Sequence, residues 1–220
     1  MVIEQLISPT VPTLLITDTG SHALLLMEEN NVSQLPVVQD DKYMALVRES
    51  DVLDWDKPES PLSMASFLTY HPAVFASGHP FEAMRVANQQ NLSVLPVVDN
   101  ENTYLGCITR DDLLKYITEN SGVDSPGGII VIELAPRDYS LSEIARICES
   151  EEVIITSAQV ASNKLTGKIE VTLKTNRSDL QGLGASFERH NYIVKQIYGE
   201  HSQDDDLRGR YDLLMNYINM

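Results

Sequence analysis

Few side chains in this sequence stand at spacings that support covalent chemistry. The five histidines, His22, His71, His79, His190 and His201, show no metal-ligand spacing, and the two cysteines, Cys107 and Cys148, are far apart. No glycine-rich phosphate loop or nucleophile elbow occurs. The adjacent acids Asp111-Asp112 and Glu28-Glu29 would point about 100° apart on a helix, a poor arrangement for a general acid and base. These features point away from an enzyme. Recognition chemistry is better supplied. In Gly106-Cys107-Ile108-Thr109-Arg110-Asp111-Asp112, a hydroxyl and a carboxylate stand three residues apart where an apolar strand gives way to a helix. An ionised carboxylate only accepts hydrogen bonds and can take two neighbouring hydroxyls. The free amides of a helix start favour that carboxylate and also attract phosphate. A plain helix cap is the bland alternative for Asp112.

The elements that would hold this junction occur twice. Residues 31–38 and 91–98 match at six of eight positions at an offset of 60, both ending Leu-Pro-Val-Val. The same offset pairs Pro12 with Pro72 and Ala23 with Ala83. Beyond a polar insertion at 99–103 it becomes 61, pairing Ala45 with Gly106 and Asp51 with Asp112. Each copy reads as a short extended segment, an amphipathic helix, a buried strand, a polar turn, a second strand and a closing helix. Thr19 or Ser21 could cap the first helix, and Pro80 suits the first turn of its counterpart. A β-α-β-β-α unit of this size buries only about 60% of its chain surface alone, so two copies should share a core.

A turn-rich stretch, residues 120–128, separates a different pattern. Ile129–Leu134 reads as a strand. Ser140 with Glu143 forms a capping box ahead of an apolar helical face at Leu141, Ile144, Ala145, Ile147 and Cys148. Strands are expected over 153–160 and 168–174, a helix over 179–190 and a strand over 192–198. This β-α-β-β-α-β order is ferredoxin-like. The tail carries Leu207, Tyr211, Leu214, Met215 and Ile218 at helical spacing. The expected domains are 1–60, 61–122 and 128–200, with a helical tail at 201–220.

The Leu-Pro-Val-Val strand, the hairpin and the Gly-x-x-Thr-x-x-Asp junction resemble the cystathionine-β-synthase (CBS) domain. The duplication resembles a tandem CBS pair, or Bateman module, over about residues 1–120. The second half resembles an ACT domain by element order, and the whole is similar to acetoin-utilisation-type regulators. The fold class implied is α/β (α+β): two packed CBS repeats, then an ACT-like domain. The resemblance implies a non-catalytic regulator whose better cleft, at Asp112, takes an adenine nucleotide (AMP, ADP, ATP or a related adenosyl ligand). Asp112 would accept from ribose hydroxyls, with Thr109 near ribose and phosphate. Carried over by position, Thr13, Val32, Ser33 and Ser93 join that cleft, and Arg110 is its candidate phosphate partner. The second cleft, at Asp51, would also see Ala73, Leu92 and Ser93. Its signature is degraded, because Ala45 replaces the glycine and Arg48 replaces the hydroxyl residue. Arg48 could reach a phosphate or block the pocket. In the ACT-like half, the loop Ala135-Pro136-Arg137-Asp138-Tyr139 lacks the family's usual glycine. That absence argues against amino-acid binding there; the alternative reading for the chain is an amino-acid-responsive or ligand-free dimerisation/interaction module acting through this domain.

Charge narrows the partners. With 16 basic and 32 acidic residues the formal charge is -16, which repels phosphate backbones and argues against nucleic acid. No apolar run approaches the ~20 residues of a membrane span, and the N-terminus lacks the features of a signal peptide. Two cysteines in apolar-patterned segments read as free thiols of a reducing compartment. The expectation is a cytoplasmic homodimer with no metal and no resident cofactor, acting on a regulated enzyme or transporter.

Overall fold

The computed structural model describes residues 2–199. It divides into two compact units, Met1–Ile117 and Thr118–Met220. The helical tail expected at 201–220 lies outside the described residues.

In the first unit the repeated sequence produces repeated structure. The Thr19 hydroxyl accepts from the His22 amide (3.2 Å) and starts α1 (Gly20–Glu29). In the second copy the cap is the His79 ring nitrogen, accepting from the Phe81 amide (3.2 Å), and Pro80 opens α3 (Pro80–Gln89). Both helices run out at an asparagine with positive φ, Asn31 (54°) and Asn91 (52°), the residue type that best tolerates a left-handed helix end after glycine. The buried runs then form β1 (Gln34–Gln39) and β4 (Val94–Val98). Each pairs antiparallel with its neighbour, β2 (Lys42–Arg48) or β5 (Tyr104–Thr109), with a register shift at the same place, after Val37 and after Val97. The closing helices are α2 (Glu49–Leu53) and α4 (Arg110–Asn120). The opening extended segments are vestigial. β3 (Val74–Phe75) adds two residues parallel to β4, and its counterpart is a single bridge from Leu14 to Val37.

The two copies are stitched into one body. Tyr43 and Leu46 of β2 are buried with the second copy's core, and Val11 and Val32 pack against both clusters. The hairpin tips cross: Tyr104 donates its amide to the Asp41 carbonyl (2.8 Å), and the Lys42 ammonium donates to the Glu101 carbonyl (2.8 Å). The residues ahead of the first copy lie on the second. Ile3 is fully buried there, and the Ser8 amide donates to the Cys107 carbonyl (2.8 Å). This path gives Gly106 its reason. Its φ is +142°, and a Cβ there would stand 2.3 Å from the Ile7 side chain. The glycine admits the N-terminal segment.

The second unit contains β6 (Ile129–Leu134), α5 (Leu141–Ser150), β7 (Ile155–Ser162), β8 (Ile169–Thr175), α6 (Gln181–Arg189) and β9 (Ile193–Tyr198). Strand order is β7-β8-β6-β9, all antiparallel, the ferredoxin-like arrangement. The Ser140 hydroxyl caps α5 by accepting from the Glu143 amide (3.3 Å). Ile144, Ile147 and Cys148 of α5 meet Leu183 and Phe187 of α6 over Ile130, Ile132, Val171 and Leu173 of the sheet.

Candidate functional site

At the β5–α4 junction, the Thr109 amide and hydroxyl both donate to Asp112 Oδ2 (2.8 and 2.6 Å). In return the Asp112 amide donates to Thr109 Oγ1 (3.1 Å). This reciprocal cap fixes the carboxylate rotamer. It engages one carboxylate oxygen and leaves Oδ1 outside these three bonds. Both residues are half-buried. A carboxylate held in this way can accept from an incoming hydroxyl without first losing rotamer freedom.

Arg110, expected to face a phosphate, turns back instead. Its Nε donates to the Leu92 carbonyl and its Nη2 to Asn91 Oδ1, each at 2.6 Å. Its amide donates to the Ser93 carbonyl (3.2 Å). Arg110 therefore anchors the α3–β4 loop to α4. Leu92 is also no lining residue, since its side chain is 1% exposed and belongs to the core.

Ser93 stands where the copies meet. Its amide and hydroxyl donate to Gln34 Oε1 (2.7 and 2.6 Å), and its hydroxyl accepts from the Ser33 amide (2.9 Å). The serine assigned to both clefts thus ties the two loops together. Sequence reasoning missed Gln34. The available signal was a glutamine at the start of a buried strand where the other copy has Val94; a buried amide needs partners. Of the remaining expected residues, Thr13 is exposed just ahead of the Leu14 bridge, Val32 packs between the two cores, and Ala73 packs on the second copy's core. Among the described hydrogen bonds, none joins them to Asp112.

The equivalent junction in the first copy is built differently. Arg48 Nε donates to Asp51 Oδ2 (2.9 Å), and the guanidinium lies 4.7 Å over the Tyr70 ring. The Asp51 bond holds the Arg48 pKa above its ordinary value. The Tyr70 hydroxyl donates to Gln90 Oε1 (2.7 Å). Tyr70 was also missed, because the repeat offset places it opposite Thr10, which is not aromatic.

A model of the CBS domain family matches residues 3–57 and 68–119. The first half of the chain is a pair of CBS domains. One curated relative, the uncharacterised protein MJ1232 of Methanocaldococcus jannaschii, is 29% identical over 97 residues, 42% of this chain. The chain spans only 31% of that relative's length. Among solved structures, a CBS domain pair/ACT domain protein of Thermotoga maritima is 21% identical with a TM-score of 0.47, covering 54% of this chain and 98% of its own. The acetoin utilisation protein AcuB of Vibrio cholerae is 22% identical with a TM-score of 0.45, covering 54% and 91%.

Beyond the CBS pair, a pocket of about 520 Å³ opens at the end of β6, lined by Glu133, Asp138, Glu143, Lys168, His190 and Tyr192 among others. It includes part of the Ala135–Tyr139 loop. Glu133 is paired with Lys168 (2.7 Å) and Lys195 (3.7 Å). The Lys168 bond, with both ammonium charges, holds the Glu133 carboxyl below the usual carboxylate range. The cysteines are free and buried. Burial pushes the Cys107 thiol up to about 12 and the Cys148 thiol up to about 11. No group of three or more potential metal-ligating side chains occurs among the described residues.

Proposed function

We propose that this chain is a non-catalytic regulatory protein that senses an adenine nucleotide or related adenosyl ligand at Asp112 of its CBS pair. The observation that carries the reading is the Thr109–Asp112 cap: it presents a carboxylate oxygen at a helix start, where sugar hydroxyls and phosphate can be met together. Ser33 and Ser93, joined across the copies, would form the floor near that site. The two buried, free thiols support a reducing, cytoplasmic setting. Self-association as a homodimer and a regulated enzyme or transporter as partner belong to the same proposal.

The test is a thermal-shift panel of AMP, ADP, ATP and the amino acids on the wild type and Asp112→Ala. The reading requires a nucleotide shift that Asp112→Ala abolishes. The pocket beside the β6–α5 loop favours a second reading, an amino-acid-responsive ACT-like domain. A shift with an amino acid and none with any nucleotide would select it. No shift with either class would select a ligand-free interaction module.

A further inference from the structure

We infer that Arg48 is the built-in occupant of the cleft at Asp51, so that this CBS pair takes one nucleotide per chain and not two. The inference rests on the nucleotide reading of the Asp112 cleft. Arg48 and Asp51 stand where the second copy has Thr109 and Asp112. In the second copy the three bonds of the Thr109–Asp112 cap, two of them to the carboxylate, stay within one turn of chain. In the first copy the side chain at the equivalent position reaches across. Its Nε is on Asp51 Oδ2 at 2.9 Å, and its Cζ lies over the Tyr70 ring, 4.7 Å from the centre. Asp51 belongs to α2 of the first copy. Tyr70 belongs to the segment entering the second copy, three residues before Ala73. The guanidinium therefore bridges from Asp51 to the segment that would form the opposite wall.

Three features make this bridge a competitor for a nucleotide. The first is charge. A guanidinium keeps its proton at every physiological pH, so Asp51 is held in a charge-assisted bond that neutral ribose hydroxyls would have to displace. The second is the ring face. The Arg48 guanidinium lies over the Tyr70 ring, which removes that face as a platform for a base. The third is fixation. The Tyr70 hydroxyl donates to Gln90 (2.7 Å), and its carbonyl accepts from the Leu46 amide (2.8 Å), so the ring is held from both ends. Arg48 also covers its partner, with side-chain exposures of 45% for Arg48 and 17% for Asp51.

The experiment is calorimetric titration of the full chain with AMP, with ATP as a second probe. It compares the wild type, Arg48→Thr, Arg48→Thr/Asp51→Ala and Asp112→Ala. Arg48→Thr restores the Thr-x-x-Asp pattern in the first copy. The expected stoichiometries are one for the wild type, two for Arg48→Thr, one for the double variant and none for Asp112→Ala. A wild type that binds two AMP overturns the inference, and so does an Arg48→Thr protein that gains no site. Should the wild type bind no nucleotide, the Asp112 reading fails by itself; the occupant then stands only if Arg48→Thr acquires a site that Asp51→Ala removes. Melting curves of each variant confirm that the comparison is between folded proteins.

Discussion

Asp112 and Asp51 share a place in the repeat and differ in what holds them, and that difference sets what each can do. Asp112 caps α4 through Thr109, so Asp112→Ala should cost about 1 kcal/mol of stability as well as nucleotide binding. Thr109→Val removes the cap's hydroxyl but keeps the carboxylate; it should weaken AMP binding without abolishing it, measured by titration beside Asp112→Ala. Elsewhere, isolated groups follow their surroundings. The Cys107 thiol sits at about 12 because burial disfavours the thiolate, so it should resist an aromatic disulfide reagent at pH 8 until the chain is unfolded. Fast labelling of native protein would contradict that. Glu133 works in the opposite sense. Its folded pKa is depressed, so its ion pairs stabilise fully above about pH 4.3, where an unfolded glutamate titrates, and lose effect as pH falls through the lower folded value. Glu133→Gln should lower the urea midpoint at pH 7, and the gap to wild type should close in the acid range.

At the scale of elements, periodicity and turn residues were reliable guides wherever local chemistry decides. The Ser140 cap of α5, one half of the expected capping box, and the proline opening α3 both fall where their residues demanded. Long-range contacts were not legible. Nothing local says that Ile3 is buried in the second copy, that Ser93 answers Gln34, or that Arg110 reaches back to Leu92. Each of these is a meeting of segments, and a spacing pattern records only one segment at a time. Gly106 shows the difference. The sequence marked it as part of a signature, whereas its reason lies in Ile7, brought in from 99 residues earlier. Gly106→Ala should therefore destabilise the first unit by about 1–3 kcal/mol through overpacking. Ile7→Ala in the same chain should recover part of that loss, leaving the strain of a positive φ. Chemical denaturation of the two singles and the double would show the coupling; additive losses would mean that Ile7 is not the obstacle.

For the whole molecule, binding and regulation are separate claims. A ligand that binds only the folded state at one hundred times its Kd stabilises it by about 2.7 kcal/mol, whatever else it does. Regulation needs more: the ligand must favour one of two states, and the difference must reach another site. The junctions that would feel AMP directly are 109–113 and, through the Ser33–Ser93–Gln34 bonds, 31–34 and 91–94. Saturating AMP should slow amide exchange in those segments. A regulator of the kind proposed should also change exchange within 128–199, where the second unit has its own core and its own pocket. Protection confined to the CBS pair would leave a nucleotide-binding module without an intramolecular output, and any response would then have to pass through a surface of the first unit. Running the same exchange experiment on Asp112→Ala separates the two cases, because every AMP-dependent change should vanish there while the exchange pattern of 128–199 without ligand stays as in the wild type.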